Sequence, residues 1–128
     1  MACIIKPNIR AGREGGSYAM EQMMRNAVRF RHNPMYAEAY AAMQRTYEFW
    51  KLYDHLEHSN MLGIFERLYW EEAHYADTQV KLSIDLGVGE RTLLRYRKQF
   101  VEAFLYNLEQ VSREMHAGSA GRFASGGR

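Results

Sequence analysis

Residues 90–98 gather four cations (Arg91, Arg95, Arg97 and Lys98) in a chain whose formal net charge is only +2. Arginine and lysine donate to guanine O6 and N7 and to phosphate oxygens. A carboxylate such as Glu90 can accept from cytosine N4. The chemistry these types offer is recognition of a polyanion. The near-balance of the remaining charges excludes a chain that coats any polyanion indiscriminately, so binding has to come from this local cluster. Glu90 and Arg91 stand where base edges would be reached, Arg91 or Arg95 can donate to guanine, and Arg97 and Lys98 suit phosphates. Thr92 suits either a phosphate or helix packing.

Such side chains need a rigid support, and the segment QVKLSIDLGVGERTLLRYRK, residues 79–98, has the residue types for one. Two short helices crossing steeply through a three- to four-residue turn make definite demands. Leu82 and Leu86 supply apolar contacts one turn apart on the first helix. Ser83 is small where the second helix crosses closely. Gly87 tolerates the positive φ of the turn. Val88 can plug the core from the turn, and Leu93 and Tyr96 can bury the inner side of the second helix. Seven positions thus agree with a helix-turn-helix. Glu90, Arg91, Leu94, Arg95, Arg97 and Lys98 are left for the outer side, which would enter a major groove.

The rest of the chain reads as helices that position this motif. Both prolines, Pro7 and Pro34, lie in the first 34 residues, and no stretch alternates apolar and polar types as a strand does. Residues 18–31 carry Met20, Met23, Met24, Ala27, Val28 and Phe30 at near-helical spacing. Asn33 can cap a helix opened by Pro34, with Met35, Ala39, Met43, Tyr47, Trp50 and Leu56 along one side to about residue 58. Ser59 and Asn60 offer a stop and a new cap for a helix over 61–71 that buries Leu62, Phe65, Leu68 and Tyr69. Asp77 can cap a helix over 78–86, and a last helix runs from about residue 90 to 115. Segments 11–17 and 117–128 are rich in glycine and small residues and are expected to be flexible. The expected fold is all-α: a helical bundle with a C-terminal helix-turn-helix and a long final helix. Residues 1–17 form a flexible segment, 18–60 the N-terminal helices for packing or oligomerisation, 61–116 the DNA-binding region and 117–128 a flexible tail.

Other chemistries find less support. Glu71-x-x-His74 is half of a di-iron carboxylate pattern, and Asp54, His55, Glu57 and His58 cluster nearby, but no second Glu-x-x-His exists. No GxSxG, Walker loop or HExxH occurs. Cys3, the one cysteine, has no base nearby in sequence and can form no intramolecular disulfide. No catalytic residue, metal or cofactor is expected. No apolar run approaches a membrane span and no secretory signal is evident, so the expected setting is the cytoplasm.

FERLYWEEA at 65–73, followed by LSIDLGVGERTLLRYRKQFVEAF at 82–104, resembles region 4 of bacterial sigma factors. Within that group, RTLLRYRKQFVEAF is similar to the C-terminal end of ArpU/RinA-type phage late-transcription regulators. Arg95, Tyr96, Arg97 and Lys98 match their aromatic–basic run, and Phe100, Val101 and Ala103 their apolar segment. The resemblance spans residues 61–108. It departs at Gly89, where the family prefers a hydroxyl residue that caps the recognition helix. It implies a transcription regulator on double-stranded DNA in a bacterial host cell, working with RNA polymerase or as a homo-oligomer. A phage small terminase subunit that recognises packaging DNA shares the same motif class and is the alternative. A helical metal-binding protein is the third reading.

Overall fold

The computed structural model describes the backbone of residues 13–126 and the side chains of residues 18–117. Helix makes up 84% of it, and no strand occurs among the described residues, so the fold is all-α. Five α-helices follow in order: α1 (Arg13–Arg29), α2 (Ala37–Glu57), α3 (Met61–Tyr69), α4 (Gln79–Leu86) and α5 (Glu90–Gly126). Short 3-10 turns at Pro34–Tyr36 and Glu72–His74 lead into α2 and follow α3.

The helices share one core. Met24, Ala27 and Val28 of α1 meet Ala42, Met43 and Trp50 of α2, Phe65, Leu68 and Tyr69 of α3, Leu82 of α4, and Leu93, Phe100 and Phe104 of α5. Trp50 and Phe65 both pack edge-on against Phe100, at ring-centroid distances of 5.2 and 5.3 Å. Each such aromatic pair adds about 0.5–1.5 kcal/mol to the burial itself. The α2 and α5 helices run antiparallel: Arg45 forks onto Glu114 at 3.0 and 2.5 Å, Asn107 donates to Thr46 Oγ1 at 3.0 Å, and Trp50 meets Phe100. Thr46 is fully buried and donates to Ala42 O at 2.7 Å, which satisfies its hydroxyl within its own helix. The N-terminal helices are therefore the packing partners of the motif region.

Several boundaries differ from expectation. Asn33 accepts from Met35 N as foreseen, but the first turn it caps is 3-10. Met35 sits in that tighter turn, out of register with the α2 core face, and is exposed, as is Leu56 near the end of α2. Met23 and Phe30 of the expected α1 apolar set are also exposed. Asn60 makes no side-chain cap for α3. Asp54, one turn from the end of α2, reaches across the break instead. Its carboxylate accepts from Met61 N at 2.8 Å, Leu62 N at 2.7 Å and Ser59 Oγ at 2.6 Å. A charged acceptor on two orphan N–H groups at a helix start satisfies them and complements the helix dipole. Asp54→Ala is expected to lose about 1–2 kcal/mol, the upper range for a cap, read as a lower urea midpoint with unchanged slope; an unaltered midpoint would remove Asp54 as the cap of α3. For α4 the cap is Thr78, whose Oγ1 accepts from Lys81 N at 3.1 Å. Asp77 turns to His74 Nδ1 at 2.8 Å.

Of the expected flexible ends, residues 1–12, with Cys3, and 127–128 lie outside the described residues. From Arg13 the chain is already helical, and α5 continues through the expected tail to Gly126. Once a helix is nucleated, each added residue fixes one further backbone hydrogen bond.

Candidate nucleic-acid interface

The turn between α4 and α5 follows from four residues, Ser83, Ile84, Gly87 and Val88. Gly87 takes φ +69°, ψ +29°, a left-handed conformation that costs an L side chain about 1–2 kcal/mol. A Cβ there would meet nothing within 4 Å, so the demand for glycine is conformational and not one of space. Gly87 N donates to Ile84 O at 3.2 Å and Val88 N to Ser83 O at 3.1 Å, the 5→2 and 6→1 bonds of a Schellman ending. Ser83 Oγ donates to Val88 O, which fastens the turn to the helix it leaves. Leu82 and Leu93 are buried, while Leu86, Val88 and Tyr96 pack against them as partly buried neighbours. The structure brings all seven expected support positions, Leu82, Ser83, Leu86, Gly87, Val88, Leu93 and Tyr96, to this one junction.

At the start of α5, Gly89 supplies a carbonyl for Leu93 N at 2.9 Å but no side-chain cap. A Cβ at 89 would also meet open space. Glu90, in the first turn, puts a carboxylate where the helix dipole favours one. Two further residues clamp the junction. Gln79 Nε2 donates to Glu90 O at 3.2 Å, and Gln79 Oε1 accepts from Arg97 Nη1 at 2.5 Å. On the other side of α4, Asp85 accepts from Lys81 at 2.6 Å and from Arg67 of α3 at 3.1 Å. The Lys81 hydrogen bond, with the charges of Lys81 and Arg67, holds the Asp85 carboxyl below its ordinary value.

Arg97 departs from the expected outward set. Its side chain is only 20% exposed and forks onto Glu21 of α1, with Nη2 to Oε1 at 2.7 Å and Nε to Oε2 at 2.9 Å. Tyr69 Oη donates to the same Glu21 Oε2 at 2.5 Å. Burial opposes the Arg97 charge, but hydrogen bonding and attraction from Glu21 outweigh it and hold the guanidinium above its ordinary value. Burial, and then the Glu21 charge, push the Tyr69 phenol well up. Arg97 is a strut between α5, α1 and α4, and in this arrangement it is not presented to a phosphate.

What remains outward is narrower and more regular. Arg91, Leu94, Arg95 and Lys98 are exposed at i, i+3, i+4 and i+7, one face of α5, with Leu94 57% exposed at its centre. Glu90 is exposed beside them, and Thr92 is half-buried towards the packing side. None of the three cations forms an ion pair among the described residues, whereas Arg45, Arg67, Lys81, Arg97 and Arg113 all do. Ile84, on α4 next to the turn, is 73% exposed. Glu21 and Gln79 are the residues that sequence reasoning missed here.

The alternative metal chemistry does not assemble: among the described residues no three His, Cys, Asp or Glu side chains come together as ligands. Asp54 is engaged as a cap, and His74 lies between Glu71 and Asp77 at 3.7 and 2.8 Å. Among the described residues, no helix is long and apolar enough to cross a membrane. Compared with known proteins, the chain matches no family model, no curated protein and no solved structure.

Proposed function

We propose that the chain is a sequence-specific double-stranded DNA-binding protein, a phage-type transcription regulator that lays the N-terminal part of α5 in the major groove. The observation that carries this reading is the unpaired row Arg91, Leu94, Arg95, Lys98 on the outward face of α5, directly after the Gly87 turn. A face that leaves three cations and one apolar side chain outward suits a surface of phosphates and base edges. Arg91 and Arg95 are the candidates for guanine, Leu94 for a thymine methyl, Glu90 for cytosine N4, and Lys98 for a phosphate. Arg97 serves as the strut that sets the angle of α5. Thr92 completes the set on the packing edge.

One such module covers few base pairs, so the reading includes a second contact, supplied by another copy of the chain or by RNA polymerase. Selection of bound sequences from a random duplex pool is expected to enrich a short motif, and run-off transcription on the winner then reads activation or repression. Recovery of unenriched sequence from every round would refute base-specific reading. A closed ring of many copies in light scattering would favour packaging-site recognition over regulation.

A further inference from the structure

Arg25 of α1 is 9% exposed, yet no carboxylate among the described residues pairs with it. Of the nearby carboxylates, Glu21 is bonded to Arg97, and Glu72 lies 3.9 Å from Arg29. Arg25 Nε donates to Leu68 O at 2.9 Å, and the guanidinium lies 5.8 Å from the Tyr69 ring centroid and 5.2 Å from that of Tyr75. The hydrogen bond uses one of its five N–H donors. The Nη nitrogens have no acceptor among the described residues, and they are not sealed from solvent. Guanidinium donors that face solvent, with no counter-charge among the described residues, stand open to an anion from outside.

The space in front of it can hold one. Gln22, Arg25, Asn26 and Arg29 recur at i, i+3, i+4 and i+7 on one face of α1, and they line a groove of about 330 Å³ closed on the far side by Glu72 and Tyr75. The Gln22 and Asn26 side chains make no hydrogen bond to another described residue, so amide donors stand beside the two guanidinium groups. Tyr75 Oη is committed to Tyr69 O at 2.6 Å, and burial, with the Glu72 charge, pushes its pKa up to about 12, so the ring stays neutral against Arg25. Glu72 is the one carboxylate lining the groove among the described residues. It is half-exposed, holds Arg29 only at 3.9 Å, and can turn to solvent.

We propose that this groove binds a phosphoryl group through Arg25, Arg29, Gln22 and Asn26. Two guanidinium groups and two amides offer donors to several oxygens at once, which matches a tetrahedral oxyanion with three or four acceptor atoms. The groove is larger than one phosphate and leaves room for the group that carries it. That carrier is either a nucleic-acid backbone or a small phosphorylated molecule. In the first case the site extends the DNA-binding reading; in the second it stands apart from it.

Two titrations of the full chain distinguish these sources. In the first, inorganic phosphate is added at constant ionic strength and thermal unfolding is followed. Wild-type protein is expected to gain about 5 °C at tenfold excess over the apparent Kd, and Arg25→Gln and Arg29→Gln are expected to lose the gain. Arg29 is half-exposed, so its variant reports even if Arg25→Gln folds poorly by circular dichroism. In the second, duplex binding is measured across salt concentrations. If phosphate alone does nothing but each variant lowers the salt slope by about one, the phosphoryl group belongs to the DNA backbone. A phosphate gain that depends on Arg25 and Arg29 without any duplex binding supports the groove while rejecting the DNA reading. The proposal is overturned if neither titration responds to the variants, or if the phosphate gain survives undiminished in both.

Discussion

Glu21→Ala is expected to destabilise the fold by about 3–5 kcal/mol, the range for removing one partner of a buried ion pair. The Glu21 side chain is 7% exposed and that of Arg97 is 20% exposed, so water cannot readily replace the lost carboxylate. Two donors would be stranded together: the Arg97 fork and the Tyr69 hydroxyl, the latter on a fully buried ring. For a domain whose total stability is of the order of 5–15 kcal/mol, this is at least about a fifth of it. The melting temperature should fall by roughly 10–20 °C. Arg97→Met alone leaves Glu21 uncompensated and should cost a similar amount. The double variant Glu21→Ala/Arg97→Met should recover much of the loss, because replacing both charges removes the desolvation along with the attraction. A urea-melt cycle with no coupling between the two positions would remove the strut from the account. The same variants separate two roles for Arg97. A phosphate ligand would lower the salt slope of DNA binding when lost, whereas a strut changes stability and leaves that slope alone in whatever fraction remains folded.

The contrast between Arg97 and the turn explains what could be read from the residues alone. Ser83, Gly87 and Val88 lie within five residues of one another, and their requirements are local: a positive φ, a small side chain, an apolar plug. Such chemistry is visible in any window that contains it. The partner of Arg97 is 76 residues away, and no local rule connects α1 to α5. A trace was nevertheless present. Residue 97 falls on the same helical register as the buried Leu93, Phe100 and Phe104, and residue 21 on that of Met24 and Val28. Two opposite charges, each at a core register position on a different helix, are what a buried ion pair looks like before folding. The Asp54 cap escaped for a related reason: its acceptors serve the next helix, seven and eight residues on, beyond the usual reach of a cap motif. The all-α fold was legible because its 3.6-residue periodicity persists over long windows. Boundaries set by 3-10 turns and capping geometry were not.

Arg91→Ala and Arg95→Ala are each expected to weaken binding to a selected duplex by about 1–3 kcal/mol, roughly 5- to 150-fold, if each forms a bidentate contact to guanine. The two side chains sit one turn apart on the exposed face of α5, and the pair of losses should be close to additive for contacts to different bases. Neither residue is a core member and neither forms an ion pair among the described residues, so unfolding free energies from urea melts should stay within about 0.5 kcal/mol of wild type. Affinity and stability are thereby separated, in contrast to the Glu21 and Arg97 variants. Discrimination is the sharper readout. Loss of Arg91 or Arg95 should reduce the ratio of selected to scrambled duplex affinity, while Lys98→Ala should lower both affinities alike and flatten the salt slope by about one. Should Arg91→Ala/Arg95→Ala bind the selected duplex as tightly as the wild type in a fluorescence titration, α5 is not the reading helix. The exposed row would then be a solvated basic face. The Gly87 turn would remain as an ordinary helical corner, held by the same hydrogen bonds and carrying no information about sequence.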